Sequence, residues 1–563
     1  MRWWLRSAPR VDATSLWLAL VAFCAYAPGV WWGLPHATSE AGKHGWDVDG
    51  IGGIVTLSEL HNFFVEAKPD WYVVYPPFHY LLLGVVYLPY LGWLWLTGGF
   101  SNPSAEFPYG FTNPVTAVAT LALISRLVTL AMAVATVVVA YATARLAWDR
   151  RTGILAALAA LLAQPMFYYG RTSNLDVPAL FWLALSFWMA AKMLASGATV
   201  RRGAWLGAFV ALAVATKDQA YGPWTLASLA LPMLCYRQAQ RQNTPWSWRP
   251  WLATLVSATG VYVVAGAVLL SPDRFAAHVE FLVTFKEASP IARQMPDVLR
   301  PYSPDGLLAL ARGNAEAVAD AMGPVLPLMG LAGFVLFRKS ALVQLIAVAV
   351  VGFVVFVLVP VQHVQYRYVM FPVYALAFPA ARALVWCLEQ PRLARTLAAG
   401  VCLLAGLHLG ARGLDLTYQM IFDARRDAGA WLAVHAVPGS RLAYFGLVDQ
   451  LPRLPAGTAV HLTSPDASVE TQWSPDPPHF VLVIPDFSSE PGMPRSRFLT
   501  QGVYERLQDG SLGYRPAARF ATRPLFGQSL KYLPYVNSPV EIYTRIDGLA
   551  GPGVAAPRPP AGR

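Results

Sequence analysis

The sequence predicts a mainly α-helical membrane protein with a small soluble α/β domain near its C-terminal end. Of its 563 residues, 56% are hydrophobic and only 13% are charged, whereas soluble domains carry about 25% charged residues. Apolar runs of membrane length recur along the first three quarters of the chain. After about residue 415 these runs stop, and short strand-like and helix-like segments alternate, as in an α/β domain.

About eleven apolar segments are candidates for membrane spans, each of which needs about 20 apolar residues. They lie near 15–33, 119–144, 153–169, 177–196, 203–216, 221–236, 251–270, 323–337, 341–360, 368–388 and 396–411. The first run is too long for a signal peptide, so we expect an anchor.

Basic residues predict the orientation of these spans. Alternate connections are rich in Lys and Arg, for example after the second span at Arg145, Arg150 and Arg151. The connection between the first two spans carries acids, including Asp47 and Asp49. Because basic loops stay in the cytoplasm, we expect a cytoplasmic N-terminus, an extracytoplasmic C-terminal region and a multi-pass protein of the bacterial inner or plasma membrane.

The first outer loop, residues 34–118, is predicted to contain helices that lie on the outer membrane surface. Residues 51–67 have the apolar spacing of an amphipathic helix. Residues 77–97 are long enough to span, but 98–115 contain no Lys or Arg, and a span here would invert every later loop. We therefore expect 77–97 to lie along the outer surface or to be partly re-entrant.

Three regions follow from this pattern: a transmembrane domain at 1–414, an extracytoplasmic α/β domain at 415–550 and a tail at 551–563. In the second region, 441–447, 479–486 and 540–546 are strand-like, and 421–436 and 494–508 are helix-like. The tail is rich in Pro and Gly and is expected to be disordered.

Composition also argues against several functions. The net charge of +11 occurs in short bursts between apolar runs, not on one face as nucleic-acid binding requires. The four cysteines are far apart and form no CxxC, which argues against a disulfide framework or a zinc site. No H-E-x-x-H motif occurs, so we expect no metal and no cofactor, although a divalent metal is not ruled out.

Four groups of charged residues fall at outer ends of spans, where ionisable side chains are functional candidates. They are GWDVDG at 45–50, RTSNLDVP at 171–178, ATKDQ at 215–219 and HVQYRY at 363–368. Each alone has an ordinary explanation, as a helix cap, a solvated acid or a cation reaching the membrane surface. Their position on one membrane face favours a common site.

Transfer of a sugar from a lipid phosphate requires both kinds of charge. A carboxylate can remove the proton from the acceptor, and Arg or Lys can stabilise the departing phosphate. A lipid carrier would also explain a site at membrane depth.

At these residues the sequence resembles the C-type superfamily of polytopic glycosyltransferases, in the branch of protein O-mannosyltransferases and the bacterial lipid A aminoarabinose transferase. An acidic motif in that branch's first outer loop provides the catalytic base. Two gap-free alignments of WDVDG assign this role to Asp47 or to Asp49. The Glu that commonly follows is replaced by Val48 or Gly50.

Further motifs extend the resemblance from about residue 30 to 390. YPPFHYLLLG at 75–84 is similar to a surface Pro-Pro segment, and PMFYYGRTSNLDVPALFW at 165–182 to a segment with a second acidic motif, here Asp176. TKDQ at 216–219 resembles the family's Thr-Lys segment, and RYVMFP at 367–372 resembles its Arg-Tyr segment before a late span. The resemblance implies catalytic roles for Asp47, Asp49 and Asp176, donor-phosphate binding by Lys217, Arg367, Arg171 and Arg126, and substrate contacts from Tyr75, His79, Asp218, Tyr368 and His363.

The resulting hypothesis is sugar transfer from a polyprenyl-phosphate donor to an extracytoplasmic lipid, glycan or protein. A polysaccharide ligase or polymerase is an alternative, because residues 271–320 form a late, charged outer loop. A transporter of lipid-linked sugar is another, although no internal repeat typical of transporters is visible.

Overall fold

The computed structural model describes residues 12–66, 75–284, 299–464, 468–484, 499–528 and 530–546. The predicted tail at 551–563 lies outside the described residues. The chain divides into two compact units. The first unit comprises Met1–Val30, Gly50–Pro89 and Leu123–Leu414, and the second comprises Trp31–Asp49, Tyr90–Ala122 and Asp415–Arg563.

Up to Ile421, the residues that the structure describes form mainly helices. The α-helices there are Ala13–Tyr26, Ile54–His61, Phe78–Leu96, Pro114–Ala147, Arg150–Leu161, Gln164–Tyr169, Asp176–Ser196, Val200–Thr216, Tyr221–Arg241, Arg249–Ala265, Pro272–Val283, Pro304–Met322, Val325–Leu336, Ala341–Phe353, Val359–Val361, Met370–Leu388 and Arg392–Ile421. Short 3₁₀ helices occur at Glu40–Lys43, Asp218–Ala220 and Tyr366–Val369, and π-helical turns at Asn62–Glu66 and Val354–Leu358.

Six helical segments in the described ranges are long and apolar enough to cross a membrane, which indicates a membrane protein. They are Phe78–Leu96, Pro114–Ala147, Asp176–Ser196, Ala341–Val361, Tyr366–Leu388 and Arg392–His435. The number is seven if Pro304–Met322 and Val325–Leu336, which meet at a 109° bend, count as one span. The predicted number of eleven is therefore not confirmed.

The difference arises because several predicted spans are shorter helices. Ala13–Tyr26 has 14 residues, and the predicted span at 153–169 is two helices, Arg150–Leu161 and Gln164–Tyr169. The chain is extended at Ala163, and a proline in the first turn favours the start of a new helix there. Residues 77–97 do form a helix, but their position on the membrane surface stays a prediction.

Two glycines allow close packing of neighbouring helices in the first unit. Gly203 and Gly207, four residues apart, face Arg249–Ala265. A Cβ atom on Gly203 would lie 2.0 Å from the carbonyl oxygen of Pro250, and one on Gly207 would lie 2.1 Å from that of Thr254. This small-residue spacing brings two backbones together in the manner of membrane helix pairs.

The second unit contains a five-stranded mixed sheet. The strands are β1 (Arg441–Tyr444), β2 (Ala459–Leu462), β3 (Phe480–Val483), β4 (Tyr514–Phe520) and β5 (Val540–Arg545), in the order β2-β1-β3-β5-β4. β1 pairs in parallel with β2 and β3, whereas β5 is antiparallel to β3 and β4. The predicted strand segments 441–447, 479–486 and 540–546 thus contain β1, β3 and β5.

Helices cover both faces of this sheet, so the side chains of β1, β3 and β5 are mostly buried on both sides. Helix Ala424–His435 contributes Ala428 and Leu432 to the apolar core on one face. Helices Val469–Trp473 and Gln501–Gln508 pack on the other face. A 3₁₀ turn, Val448–Gln450, follows β1.

Candidate active site

A buried ion pair joins two of the predicted site residues in the first unit. Asp176 is the first residue of its helix, where a carboxylate is favoured by the helix dipole. Lys217 is the C-cap residue of Val200–Thr216 and has an extended backbone conformation. Nζ of Lys217 lies 2.6 Å from Oδ1 of Asp176, and each side chain is 6% exposed.

This ion pair lines a small, partly open cavity. Arg367 and Tyr368 also line it, and apolar side chains form much of the remaining wall: Ala179, Leu180, Leu183, Phe353, Met370 and Phe371. Two cations and one carboxylate give these lining side chains a net charge of +1. The cavity therefore combines a cationic region with an apolar wall, as an anionic lipid headgroup and its chain would require.

The turn that carries Arg367 and Tyr368 is anchored by its first residue. The hydroxyl of Tyr366 donates to Oδ2 of Asp320 at 2.8 Å, and Oδ1 of Asp320 accepts from Arg412 at 2.8 Å. Nε of Arg367 donates to the uncharged side-chain oxygen of Gln365 at 2.6 Å. From this turn, Arg367 and Tyr368 line the cavity.

Asp218, next to Lys217, contacts a residue that the sequence analysis missed. Nε2 of His278 lies 3.0 Å from Oδ1 of Asp218, and both side chains are buried. Arg274, one turn earlier on the same helix, donates to the carbonyl of Asn62 at 2.6 Å. No sequence motif indicated that His278 is a candidate site residue, because its partner Asp218 lies 60 positions away in the sequence.

Arg126 and Arg171 hold the end of the first helix. Nη1 of Arg126 donates to the carbonyl of Val30 at 3.0 Å. Arg171, which is fully buried, donates to the carbonyls of Pro28 and Ala25. These bonds satisfy one carbonyl group at the C-terminal end of helix Ala13–Tyr26 and two in the turn after it. They give both arginines a structural role, and phosphate binding by them stays a prediction.

Residues 45–50, which contain Asp47 and Asp49, are called the acid loop below. The segment after this loop packs closely on the 171–178 segment. The backbone N–H of Gly52 donates to Oγ of Ser173 at 3.1 Å, and Ile51 N–H donates to the Ser173 carbonyl at 3.2 Å. A Cβ atom on Gly52 would lie 2.4 Å from Oγ of Ser125. Gly53 has a φ of 70°, which favours glycine. The close contact at Gly52 and the backbone conformation at Gly53 therefore explain why both positions are glycine.

The remaining predicted substrate contacts lie in different places. The ring centroid of Tyr75 is 6.0 Å from Nζ of Lys217, and His79 is buried in Phe78–Leu96. His363 packs against Tyr368 with ring centroids 5.5 Å apart. Its Nδ1 lies 2.8 Å from the carbonyl of Val361, which can only accept, so Nδ1 carries the proton.

Most of the acid loop, up to Asp49, belongs to the second unit. Asp47 is buried, with 5% exposure, whereas Asp49 is exposed and has a φ of 60°. Trp46 fixes the loop, because its backbone N–H donates to the carbonyl of Gly33 and its Nε1 to the carbonyl of Leu451, each at 2.8 Å. Its ring also lies 4.2 Å from the guanidinium carbon of Arg425.

A third carboxylate lies near this loop in the second unit. Burial, and then the negative charges of Asp47 and Asp49, raise the pKa of Asp449 to about 7, while Arg425 lowers it. Sequence patterns gave no sign of this residue, which lies in the turn after β1. Among the residues that the structure describes, no group of three or more His, Cys, Asp or Glu side chains is arranged to hold a metal ion.

Comparisons of the chain with protein-family models and with curated protein sequences found no match. Solved structures do match. ArnT from Cupriavidus metallidurans in the apo state is 16% identical, with a TM-score of 0.47, over 96% of this chain and 100% of that one. The same protein bound to undecaprenyl phosphate is 12% identical, with a TM-score of 0.46, over 96% and 99% of the two chains.

The archaeal oligosaccharyltransferase AglB from Archaeoglobus fulgidus, in complex with an inhibitory peptide and a dolichol-phosphate, is 11% identical, with a TM-score of 0.42, over 95% of this chain and 88% of that one. Because these identities and TM-scores are low, the function proposed below rests on this chain's own residues. Over most of its length, the chain is similar to the solved structures of ArnT and AglB.

Proposed function

We propose that this protein transfers a sugar from a polyprenyl-phosphate donor to an acceptor on the extracytoplasmic side of a bacterial membrane. The proposal rests on one cavity, which is lined by Lys217, Arg367 and apolar side chains. A lipid phosphate needs both features, because its headgroup is anionic and its chain is apolar. The acceptor is a lipid, a glycan or a protein.

In this reaction an acceptor hydroxyl attacks the anomeric carbon of the sugar. The bond between that carbon and the phosphate oxygen breaks, and its electron pair stays on the phosphate. Arg367 can grip phosphate oxygens in pairs, and Lys217 adds a compact charge. Both therefore stabilise the charge that develops on the leaving group.

Asp47 is the favoured base for the acceptor proton. A carboxylate acts best when it is held in one position, and Asp47 is buried beside the anchored Trp46. Asp49 is the alternative, although its exposure gives it more contact with water. We assign Asp176 a positioning role, because it already pairs with Lys217 at 2.6 Å.

Substitutions in the acid loop test the proposed function. Asp47→Asn should lower transfer by roughly 10²–10⁴-fold, the usual contribution of general-base catalysis, and Asp49→Asn should have a smaller effect. The matched control is Glu106→Gln, since Glu106 is an exposed carboxylate of the same predicted outer loop. A deletion strain carrying each variant is analysed by mass spectrometry of surface glycans and lipid-linked sugars, with protein levels in the membrane checked in parallel.

Loss of transfer should leave the sugar on its lipid, facing outward and accessible to added reagents. If both acid-loop variants keep near-normal transfer, the assignment of the base is wrong. If instead the lipid-linked sugar accumulates on the cytoplasmic side, the protein is a transporter. A change in glycan length with intact linkages to the acceptor would indicate a polymerase.

A further inference from the structure

A polar pocket lies within the second unit, beside the acid loop. One wall comes from residues 34–46 and the other from residues 448–454, which follow β1. The side chains that can offer polar groups to this pocket, called the Arg453 pocket below, are His36, Thr38, Ser39, His44 and Arg453. Among the described residues that line it, none carries a carboxylate. Asp47 and Asp449 adjoin the walls in sequence, but neither lines the pocket.

Hydrogen bonds between the two walls fix the shape of the Arg453 pocket. The hydroxyl of Thr38 donates to the carbonyl of Leu454 at 3.0 Å. Nε1 of Trp46 donates to the carbonyl of Leu451 at 2.8 Å. Because the chain itself holds both walls in place, a ligand can bind with little ordering of the protein.

Arg453 supplies the positive charge of this pocket, because arginine stays ionised in proteins. Its side chain is exposed, and within the part of the chain that the structure describes no carboxylate forms an ion pair with it. Glu40, which lies between the pocket residues Ser39 and Ala41, is already engaged: Nζ of Lys43 lies 2.5 Å from it, and the hydroxyl of Tyr109 donates to it at 2.7 Å. The charge of Arg453 therefore remains available to a ligand.

A second arginine lies near the outer side of this wall. A Cβ atom on Gly429 would lie 3.0 Å from the carbonyl oxygen of Arg453, and Arg426 is one turn before Gly429 on the same helix face. Nε and Nη2 of Arg426 are buried and have no hydrogen-bond partner among the described residues. Burial, and then the charge of Arg426, lower the pKa of Arg453. Two like charges in this arrangement repel each other, and a bound anion would relieve the repulsion.

The two histidines add neutral hydrogen-bond donors. Burial, and then the charge of Arg453, lower the pKa of His36. Burial is also the main cause that lowers the pKa of His44 to about 4. Both rings are therefore neutral at pH 7, and each retains one N–H donor. One guanidinium with N–H and O–H groups, and no carboxylate among the lining side chains, is the environment that an oxyanion requires.

We propose that the Arg453 pocket binds an oxyanion of the acceptor, a phosphate or a carboxylate group, while the acid loop acts on the acceptor hydroxyl. Trp46 lines the pocket and Asp47 is the next residue, so an acceptor held here lies beside the proposed base. The donor phosphate is assigned to Lys217 and Arg367, so a second anion site suits the acceptor. The acceptor role deepens the proposed function and rests on it, whereas anion binding can be measured without any transfer.

Modification of arginines by phenylglyoxal tests the binding on the full-length protein in detergent. Peptide mass spectrometry gives the rate at each arginine, so anions bound elsewhere do not interfere. Inorganic phosphate and glucose 1-phosphate should slow the modification of Arg453, whereas glucose should not. Glucuronate in place of glucose 1-phosphate distinguishes a carboxylate site from a phosphate site. The control is Arg515, an exposed arginine on β4, whose rate should not change.

His44→Ala should raise the phosphate concentration that gives half protection of Arg453, because one donor is lost. If neither anion protects Arg453, or if Arg515 is protected equally, the pocket is no anion site and the inference is overturned. Equal protection in His44→Ala would show that phosphate binds the exposed guanidinium only, which also overturns it.

Surface glycans of the deletion strain provide the activity arm. Arg453→Gln should lower transfer by roughly tenfold or more, the usual effect of losing one charge-assisted contact, and Arg453→Lys should restore part of it. Arg515→Gln should transfer normally. Purified Arg453→Gln should still bind undecaprenyl phosphate in native mass spectrometry, which a merely unfolded variant would not.

The results separate this inference from the proposed function. If Asp47→Asn abolishes transfer but Arg453→Gln transfers normally, the proposed function stands and the acceptor role of the pocket is wrong. If anions protect Arg453 but the acid-loop variants and Arg453→Gln all retain transfer, the pocket binds anions and its acceptor role fails together with the proposed base.

Discussion

Lys217 is the ion-pair partner of Asp176 and a proposed phosphate ligand, and a single substitution would affect both roles at once. Its Nζ is paired with Asp176 inside the first unit, and both side chains are almost fully buried. Removing one partner of a buried ion pair leaves an uncompensated charge and costs about 3–5 kcal/mol of stability. Lys217→Ala alone would therefore lower activity whether or not Lys217 binds phosphate.

Removing both charges separates the two roles. We expect the double variant Asp176→Asn, Lys217→Gln to fold better than Lys217→Ala but to bind undecaprenyl phosphate more weakly. Loss of a charge-assisted contact costs about 1.5–3 kcal/mol, which is roughly tenfold to a hundredfold in affinity. Arg367→Gln should weaken binding by a similar factor, measured by native mass spectrometry of the purified protein.

Lys339→Gln is the matched control for this measurement. Lys339 is exposed and lies in a connection that is predicted to be cytoplasmic. If the double variant, Arg367→Gln and Lys339→Gln all bind undecaprenyl phosphate equally well, the cavity is not the phosphate site. Such a result would leave Lys217 as the structural partner of Asp176.

At the scale of elements, the pair of helices Val200–Thr216 and Arg249–Ala265 depends on Gly203 and Gly207. Both helices lie in segments that the sequence predicts to span the membrane. A lipid chain is as apolar as a leucine side chain, so helices in a membrane associate mainly through close packing. A methyl group at either glycine would meet backbone atoms of the facing helix, which cannot move aside as a flexible side chain can.

Gly207→Ala should therefore lower the unfolding temperature in detergent, with an expected cost of about 1–3 kcal/mol from overpacking. Gly260→Ala is the control on the facing helix, since a Cβ atom there would meet nothing within 4 Å. That change should raise stability by about 0.5–1 kcal/mol, because alanine loses less backbone entropy in a helix. Equal shifts in the two variants would show that this packing contributes little.

At the scale of the whole molecule, the alternation of basic connections predicts a cytoplasmic loop near residue 245 and an extracytoplasmic C-terminus. Pro245 is exposed between Tyr221–Arg241 and Arg249–Ala265. After the four native cysteines are replaced, a Pro245→Cys variant should resist a membrane-impermeant thiol reagent in intact cells. A cysteine added after residue 563 should react.

Permeabilised cells provide the control, because both cysteines should then be labelled. A protected C-terminal cysteine in intact cells would reverse the orientation and place the acid loop in the cytoplasm. The proposed extracytoplasmic transfer would then be wrong.

Local patterns were sufficient to predict the helical region, the α/β region and the charged segments. Hydrophobic runs and alternating side chains depend on neighbours a few residues apart, so they are visible in the sequence. β2 and β4 were missed because most of their side chains are exposed or only half buried, and β4 contains Pro516 at an irregularity in its pairing. Such edge strands lack the continuous apolar run of β3.

The acidic and basic candidates were thus determined by the sequence, but their partners were decided by tertiary structure. Lys217 meets Asp176 across 41 positions, and His278 meets Asp218 across 60. Asp449 comes near the acid loop only because Arg425 and Trp46 connect distant segments of the second unit. No local spacing encodes contacts of this range, because they depend on how whole elements pack against each other.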